Sequence, residues 1–310
     1  MKTNILITGT GFVSTHLTEY FNHKEDTKVT LCSRNKEGEN IIKADLSDLR
    51  DCTFLKAFDF DKIFHLSAQS SVHVSVERPF DTIRSNINSV NNFLEVFAGT
   101  KTKLIFAGSS EVYKDSSKIL TEESELESQP KNIYALSRLT TDNLIRSVAK
   151  DRKIDCTLLR LFLHTGSGHS TNFALSSWAK QLADIKKGKQ EKKIYVGNLQ
   201  IQRSYCDVHD VCRAYDLVSD ANDDHGEVYN VCSGQAYLMK DLLKKLVEIA
   251  NVDIEIIIDE KRVRKNDIMY IDGSYKKIKE KFGWEPLIPI EQTLKDLYQY
   301  WEQYEPSTSI

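Results

Sequence analysis

The chain has 310 residues, 42 Lys and Arg against 45 Asp and Glu, and a formal net charge of −3 at pH 7. Near neutrality excludes a general electrostatic pull towards nucleic acid or an anionic membrane, so an anionic ligand has to be held by local charges. The length suits one large core with a smaller lobe, or two domains of ordinary size, and no stretch approaches the length of a membrane span.

Met1-Lys2-Thr3 leads straight into an apolar run over residues 4–7 with no signal-peptide hydrophobic region, so the expected location is the cytoplasm. Similar short runs follow at 28–32, 41–44, 62–66, 103–107 and 156–161. Between them, residues 12–21, 79–97 and 133–150 carry apolar residues at helical spacing, with Pro79 suited to a first turn where its missing N–H costs nothing. Alternation of this kind predicts an α/β fold, because parallel strands need crossover helices. From about Gly166 the segments become short and mixed, with strands predicted at 193–196, 228–231 and 254–258 and helices at 239–250 and 275–282. The six cysteines (Cys32, Cys52, Cys156, Cys206, Cys212, Cys232) lack metal-ligand spacing and read as buried thiols; no metal site is expected.

Gly9, Thr10 and Gly11, followed by Phe12 and Val13, place a glycine turn between the first strand and the first helix. Such a turn lets a pyrophosphate approach the backbone at the positive end of a helix, which points to a dinucleotide. Ser14 occupies the third glycine position. An NAD-preferring site has an acidic residue at the end of the second strand, to bond the ribose 2′-OH. Here the stretch is Ser33-Arg34-Asn35, and Arg with a hydroxyl favours the 2′-phosphate of NADP; Arg34 as a solvated loop charge remains the plain alternative. Asp45 and Leu46, after the third strand, are placed to border the adenine.

Ser109, Ser110 and Glu111 follow the strand at 103–107, at the sheet end where α/β proteins bind ligands. Tyr134 begins the next helix, with Arg138 one turn further along the same face. For reduction of a carbonyl, Tyr134 donates a proton to the developing alkoxide and Ser109 hydrogen-bonds the same oxygen. A phenol has a pKa near ~10, so a neighbouring cation is needed, and Arg138 is the candidate. The competing reading leaves Arg138 facing solvent on an amphipathic helix. Glu111 reads either as a base that removes a proton beside the carbonyl or, preferred, as a partner for sugar hydroxyls.

These groups are joined by Phe64-His65-Leu66-Ser67-Ala68 with Ser70-Ser71-Val72, Val196-Gly197-Asn198-Leu199, Asp207-Val208-His209-Asp210, Val228-Tyr229-Asn230-Val231, Arg262-Val263-Arg264 and Gly283-Trp284-Glu285-Pro286. In this order, over almost the whole chain, they resemble the nucleotide-sugar branch of the extended short-chain dehydrogenase/reductase family. The resemblance implies a Rossmann doubly wound parallel sheet over 1–165, with some later elements returning to it, and a smaller interleaved nucleotide-sugar-binding lobe mainly over 166–310. It implies that Leu66, Ser67 and Ala68 join the cofactor site and that Ser70, Ser110, Glu111, Asn198, Arg203 and Arg264 contact substrate, the two arginines clamping its diphosphate.

The activity implied is NAD(P)H-dependent reduction of the C4 keto group of a nucleoside-diphosphate 4-keto-6-deoxyhexose for surface-polysaccharide synthesis. NADPH is favoured with NAD(H) possible, and GDP is favoured over dTDP. A homodimer through residues 79–97 and 133–150 is implied as well. Against the family pattern, the glycine turn is one residue shorter, the usual catalytic Lys is Arg138, and an Asn is Leu163. A Gly-Pro-Gly-Gln is Gly166-Ser167-Gly168-His169, and the Asp after the diphosphate Arg is Ser204. His164 and His169 stand as replacement acids or plain polar surface, and Lys186-Lys187-Gly188-Lys189 with Lys192-Lys193 reads as a solvated loop. Two rival readings remain: a 4,6-dehydratase or epimerase with tightly held NAD, and a sugar-nucleotide-binding protein without catalysis.

Overall fold

The computed structural model describes residues 2–222, 224–263 and 267–305. Strands β1 (Thr3–Thr8), β2 (Thr27–Ser33), β3 (Ile41–Lys43), β4 (Lys62–His65), β5 (Lys103–Ala107) and β6 (Cys156–Leu161) alternate with helices. The helices are α1 (Phe12–Asn22), α2 (Leu49–Leu55), α3 (Val72–Glu77), α4 (Pro79–Ile83), α5 (Ser89–Phe97) and α6 (Ile133–Arg152). Beyond them come β7 (Leu163–Thr165), α7 (Ala174–Lys186), β8 (Lys193–Val196), β9 (Gln202–Asp207), α8 (Val208–Ser219), β10 (Glu227–Val231), β11 (Ala236–Leu238) and α9 (Met239–Ala250). The chain ends with β12 (Glu255–Ile258), β13 (Tyr270–Ile271), α10 (Lys276–Phe282) and α11 (Ile290–Gln303).

The large sheet has seven parallel strands in the order β10-β6-β5-β4-β1-β2-β3. The winding direction reverses between β1 and β4, which opens a crevice at their carboxyl ends. Both faces are covered, so central strands are apolar without a polar side: Ile5, Leu6 and Ile7 are all buried. Leu6, Ile63, Leu104 and Phe106 face one core with α5 and α6, while Ile5, Ile7, Phe64 and Ile105 face the other with α1 and α8. A third core joins α7, α9 and α11 over β8, with Leu182, Leu243 and Leu294 at its centre. Two small sheets complete the chain, β9 flanked by β7, β11 and β13, and β8 paired with β12.

The helix predicted over 79–97 is real but not regular. Residues Arg84–Asn88 form a π turn between α4 and α5. The wider turn directs the Asn86 side chain inward, where it accepts from Gln69 N (2.8 Å) and donates to Gln69 O (3.1 Å) and Ser137 Oγ (2.9 Å). A functional segment often carries such a turn. Here it ties the loop after β4 to the helix that bears Tyr134. All six cysteines are buried free thiols. The lysine run at 186–193 is exposed except Lys193, yet Lys186 closes α7 and Lys193 opens β8, so it is not one loop.

Two of the motifs shared with the family prove to be a brace. Asp207 caps α8 through His209 N (2.8 Å) and accepts from Thr293 Oγ1 (2.8 Å) on α11. Asp210, fully buried, accepts from the backbone N–H groups of Leu287 (3.0 Å) and Ile288 (2.9 Å) and pairs with Arg213. Trp284 donates its indole N–H to the Asp210 carbonyl (3.0 Å). Asp210→Ala leaves two backbone donors and a guanidinium without their acceptor in a buried site. It is expected to lower stability in urea denaturation by about 3–5 kcal/mol, and a loss under about 1 kcal/mol would contradict the bracing role.

Candidate active site

The glycine turn leaves β1 where the sheet opens. Gly9 has φ +89°, a region that side chains rarely adopt, and a Cβ there would lie 3.3 Å from Ser67 Oγ. Gly11 precedes α1 and has nothing within 4 Å of a would-be Cβ, so its backbone is open to an approaching group. No side chain caps the first turn of α1, which leaves its backbone N–H groups directed at that opening. Thr8 Oγ1 accepts from Leu66 N and Ser67 N, both at 3.0 Å, and so clasps the end of β1 to the loop after β4. Ser14 is buried, and its hydroxyl donates to the Gly11 carbonyl (2.9 Å). Ser67 and Ala68 are half-buried beside the turn, whereas Ser70 is exposed.

At the end of β2, Ser33 is buried and its Oγ accepts from Asn35 N (3.4 Å) and Lys36 N (3.2 Å), shaping a turn that presents Arg34 and Asn35 to solvent. Asp45 accepts from Ser47 N (3.0 Å) and Ser47 Oγ (2.8 Å), and Leu46 is buried with its carbonyl bonded to Asn92 Nδ2 (3.0 Å). Open Gly11, the uncapped helix start and an exposed Arg34 at the second strand end suit a dinucleotide phosphate set.

The second group lies past β5. Ser109, extended and buried, begins a single 3-10 turn over Ser110–Val112 and accepts from Glu111 N (3.2 Å). Its own hydroxyl hydrogen is therefore left to donate elsewhere. Ser110 and Glu111 are half-buried and line a cleft with Tyr113, Lys131, Ala135 and Ile271. The start of α6, capped by Asn132 through Ala135 N (2.8 Å), packs against this turn.

Arg138 does not face solvent. It is only 8% exposed, its guanidinium carbon sits 5.3 Å from the centre of the Tyr134 ring, and Nη1 donates to the Ala107 carbonyl (3.3 Å). A cation over a ring face at this distance is attractive. Arg138 Nε is buried with no partner among the described residues, so one donor of the fork remains for a bound molecule. His65, at the end of β4, is wedged between Phe93 and Phe106. Burial first, and Arg138 second, pull its imidazole down to about 4, which keeps a second cation out of the site.

The substrate-side residues are more dispersed. Arg203 is buried on β9 with Nη1 on the Gln202 carbonyl (2.8 Å). Asn198 follows β8 and donates to Asp267 Oδ2 (3.2 Å). Arg264 lies outside the described residues. Arg262 is exposed and pairs with Asp259 at 3.3 Å. Ser204 hydrogen-bonds Ser233 Oγ (2.9 Å).

His164 and His169 are neither surface nor free acids. The His169 ring is stacked between Phe12 (4.3 Å) and Phe173 (4.2 Å) in a column that runs from the glycine turn to the start of α7. His164 donates to the Phe162 carbonyl (2.9 Å) and is held below its usual value by burial. His16, one turn along α1, donates to the Ser167 carbonyl (2.8 Å). Sequence reasoning missed this column, Thr8 and Asn86; a cluster of His and Phe around the Gly-Ser-Gly-His segment was the only signal.

The chain matches the model of the GDP-mannose 4,6 dehydratase family over residues 6–297. It belongs to that family. The family lies within the extended short-chain dehydrogenase/reductases, whose members are NAD(P)-dependent nucleotide-sugar oxidoreductases, dehydratases and epimerases. GDP-6-deoxy-D-mannose reductase of Pseudomonas aeruginosa is 32% identical over 248 residues, covering 78% of this chain and 80% of that one. The structure of RMD from Pseudomonas aeruginosa complexed with NADPH superposes with a TM-score of 0.85 at 29% identity, over 97% and 99% of the two chains. UDP-glucose 4-epimerase of Thermotoga maritima with UDP-glucose gives 0.84 at 25% identity, over 97% and 99%. The likeness to these structures agrees with the α/β sheet and its smaller C-terminal sheets.

Burial, with His164 and His16 adding to it, pulls His169 down to about 3. The unfolded chain protonates this residue below about 6.5 while the folded chain does not, so the native state loses stability as pH falls from 6.5 towards 3. His169→Gln removes that term. The stability lost between pH 7 and pH 5 in urea titrations is expected to shrink by about 2 kcal/mol in the variant. An unchanged loss would place the imidazole in a solvated, titrating state.

Proposed function

We propose that the protein is an NADPH-dependent 4-ketoreductase of a nucleoside-diphosphate 4-keto-6-deoxyhexose, with GDP-4-dehydro-6-deoxy-D-mannose as the favoured substrate and a dTDP sugar as the alternative. The observation that carries this is the buried Tyr134–Arg138 pair at the end of β5, on the helix that packs against the 3-10 turn opened by Ser109. The likeness to GDP-6-deoxy-D-mannose reductase supports the sugar and the nucleotide.

The glycine turn at Gly9 and Gly11 would hold the pyrophosphate of a reduced dinucleotide, which would supply the hydride to C4. Tyr134 supplies the proton to the C4 oxygen, and Ser109, whose oxygen already accepts from Glu111 N, donates to that same oxygen. Arg138 keeps a fixed positive charge at the Tyr134 ring and favours the phenolate left after transfer. Its Nε–H, without a partner among the described residues, is left for the cofactor ribose. Glu111 and Ser110 bond sugar hydroxyls, Asn198 contacts substrate, Arg203 and Arg264 clamp its diphosphate, and Arg34 with Ser33 and Asn35 receives a 2′-phosphate.

A second reading, a 4,6-dehydratase or epimerase that recycles tightly held NAD, draws support from the name of the matched family and from half-buried Glu111 in the cleft. Stoichiometric NAD(H) in the purified protein would favour it. NADPH oxidation is expected with the GDP substrate and not with dTDP-4-dehydro-6-deoxy-D-glucose; the reverse would exchange the nucleotide, and silence with both would leave the NAD-recycling enzyme or a binding protein without turnover. Tyr134→Phe is expected to lower kcat by about 10²–10⁴-fold with NADPH binding retained, and normal turnover would sink the mechanism.

We further propose a homodimer through α4–α5 and α6. Val76, Phe80 and Leu136 are exposed apolar residues along or next to these helices. Light scattering is expected to give twice the chain mass, and a monomer would contradict it.

A further inference from the structure

We propose that Arg160 is a positioning residue that sets the register between the Tyr134 helix and the Ser109 turn. The inference rests on Tyr134 and Ser109 being the reacting pair.

Tyr134, Arg138 and Asp142 recur every four residues on α6, on one face, and all are buried. Arg138 pins that face to β5 at the Ala107 carbonyl. Asp142 pins it to β6, where Arg160, 1% exposed, grips both carboxylate oxygens through Nε (2.7 Å) and Nη2 (2.8 Å). The remaining arm of Arg160 reaches the end of the 3-10 turn that Ser109 opens. Its Nη1 donates to Tyr113 Oη (2.9 Å) with the guanidinium 4.8 Å from the centre of that ring. Tyr113 closes the 3-10 turn that starts at Ser109, its N–H donating to the Ser110 carbonyl (3.1 Å). Its hydroxyl in turn donates to Asn230 Oδ1 (2.6 Å) on β10.

The intervening loop is fastened to the same group. Arg160 Nη1 also reaches the Glu122 carbonyl (3.4 Å), Asn230 N donates to Glu122 Oε1 (2.7 Å), and Asn230 Nδ2 donates to the Leu120 carbonyl (3.3 Å). A planar guanidinium with five donors in fixed directions meets carboxylate, phenol and carbonyl at once, which a lysine does not do. Arg160 touches neither Tyr134 nor Ser109, and Asp142 neutralises its charge locally. Its influence on the reaction is therefore geometric, and a displacement of about 1 Å costs up to ~10²-fold in rate.

The test uses Tyr113→Phe, which keeps the ring over Arg160 and deletes the hydroxyl between Arg160 and Asn230, with Asp142→Asn as the second variant. In the NADPH assay, kcat is expected to fall about 10- to 100-fold with KM for both substrates within about twofold of wild type. In parallel, each full-length protein is labelled with ¹³Cζ-tyrosine and studied by NMR without substrate. The Tyr134 signal, identified by its loss in Tyr134→Phe, is expected to change in shift and titration midpoint in both variants. An unmoved Tyr134 signal, or a kcat loss that only follows the unfolded fraction measured by circular dichroism, would overturn the proposal. If the wild type turns over neither sugar nucleotide, the functional reading fails, and the NMR alone still decides whether Arg160 positions Tyr134.

Discussion

Helix α6 is held on the sheet by two buried guanidinium groups, and the geometry of the whole site depends on that grip. Burying a cation costs several kcal/mol unless hydrogen bonds and an opposite charge replace its water. Arg160 meets both conditions through Asp142, Tyr113 and Glu122. Arg138 meets neither fully, since among the described residues it has a carbonyl and a ring but no carboxylate bonded to it. The imbalance separates the roles: a satisfied cation fixes structure, while an under-satisfied one stores attraction for whatever anion forms beside it. Tyr134 lies under the second, with the guanidinium carbon 5.3 Å from the centre of its ring.

Arginine in place of lysine changes the manner of that assistance. A lysine ammonium is a mobile point charge with three donors, whereas the Arg138 fork lies over the phenol ring and is tethered at Nη1, so its position is set before any ligand arrives. The neighbouring His65 stays neutral because burial and Arg138 both oppose its protonation. His65 therefore adds no charge beside Arg138 across the neutral pH range. The lost flexibility of lysine is offset by pre-orientation, which the entropy of ordering a long side chain makes worth having.

The parallel strands were legible because burial on both faces leaves continuous apolar runs; residues 103–107 and 156–161 match β5 and β6 at both ends. The glycine turn and the Ser, Tyr and Arg positions were legible as short motifs at strand ends. Helices α7, α8 and α11 were not: serines blur the period of α7, and neither α7 nor α11 has a side-chain cap to mark its start, although α8 and α11 bury Val208, Val211 and Tyr215 and Ile290, Leu294 and Leu297 at helical spacing. The π turn at Arg84–Asn88 was hidden for another reason: it adds one residue to a turn without changing the run of helix-forming residues, and only the inward bonds of Asn86 reveal it. Arg160 looked like any strand residue, because its meaning lies in partners on α6, on β10 and in the loop beyond Tyr113.

The departures from the family pattern sort themselves by this packing. Ser14 spends its hydroxyl on the Gly11 carbonyl, which allows a larger residue where helix and strand meet. His169 fills its place by stacking between Phe12 and Phe173, and its carbonyl accepts from Ser176 Oγ at 2.5 Å, so the segment is bound to both the glycine turn and α7. Ser204 finds Ser233 in place of a charge. Each replacement is satisfied locally, as buried polar groups must be if the fold is to keep its stability. Arg138 is the exception, with Nε unpaired in a buried site. A buried donor of this kind is costly unless a partner reaches it, and among these altered positions it is found at Arg138.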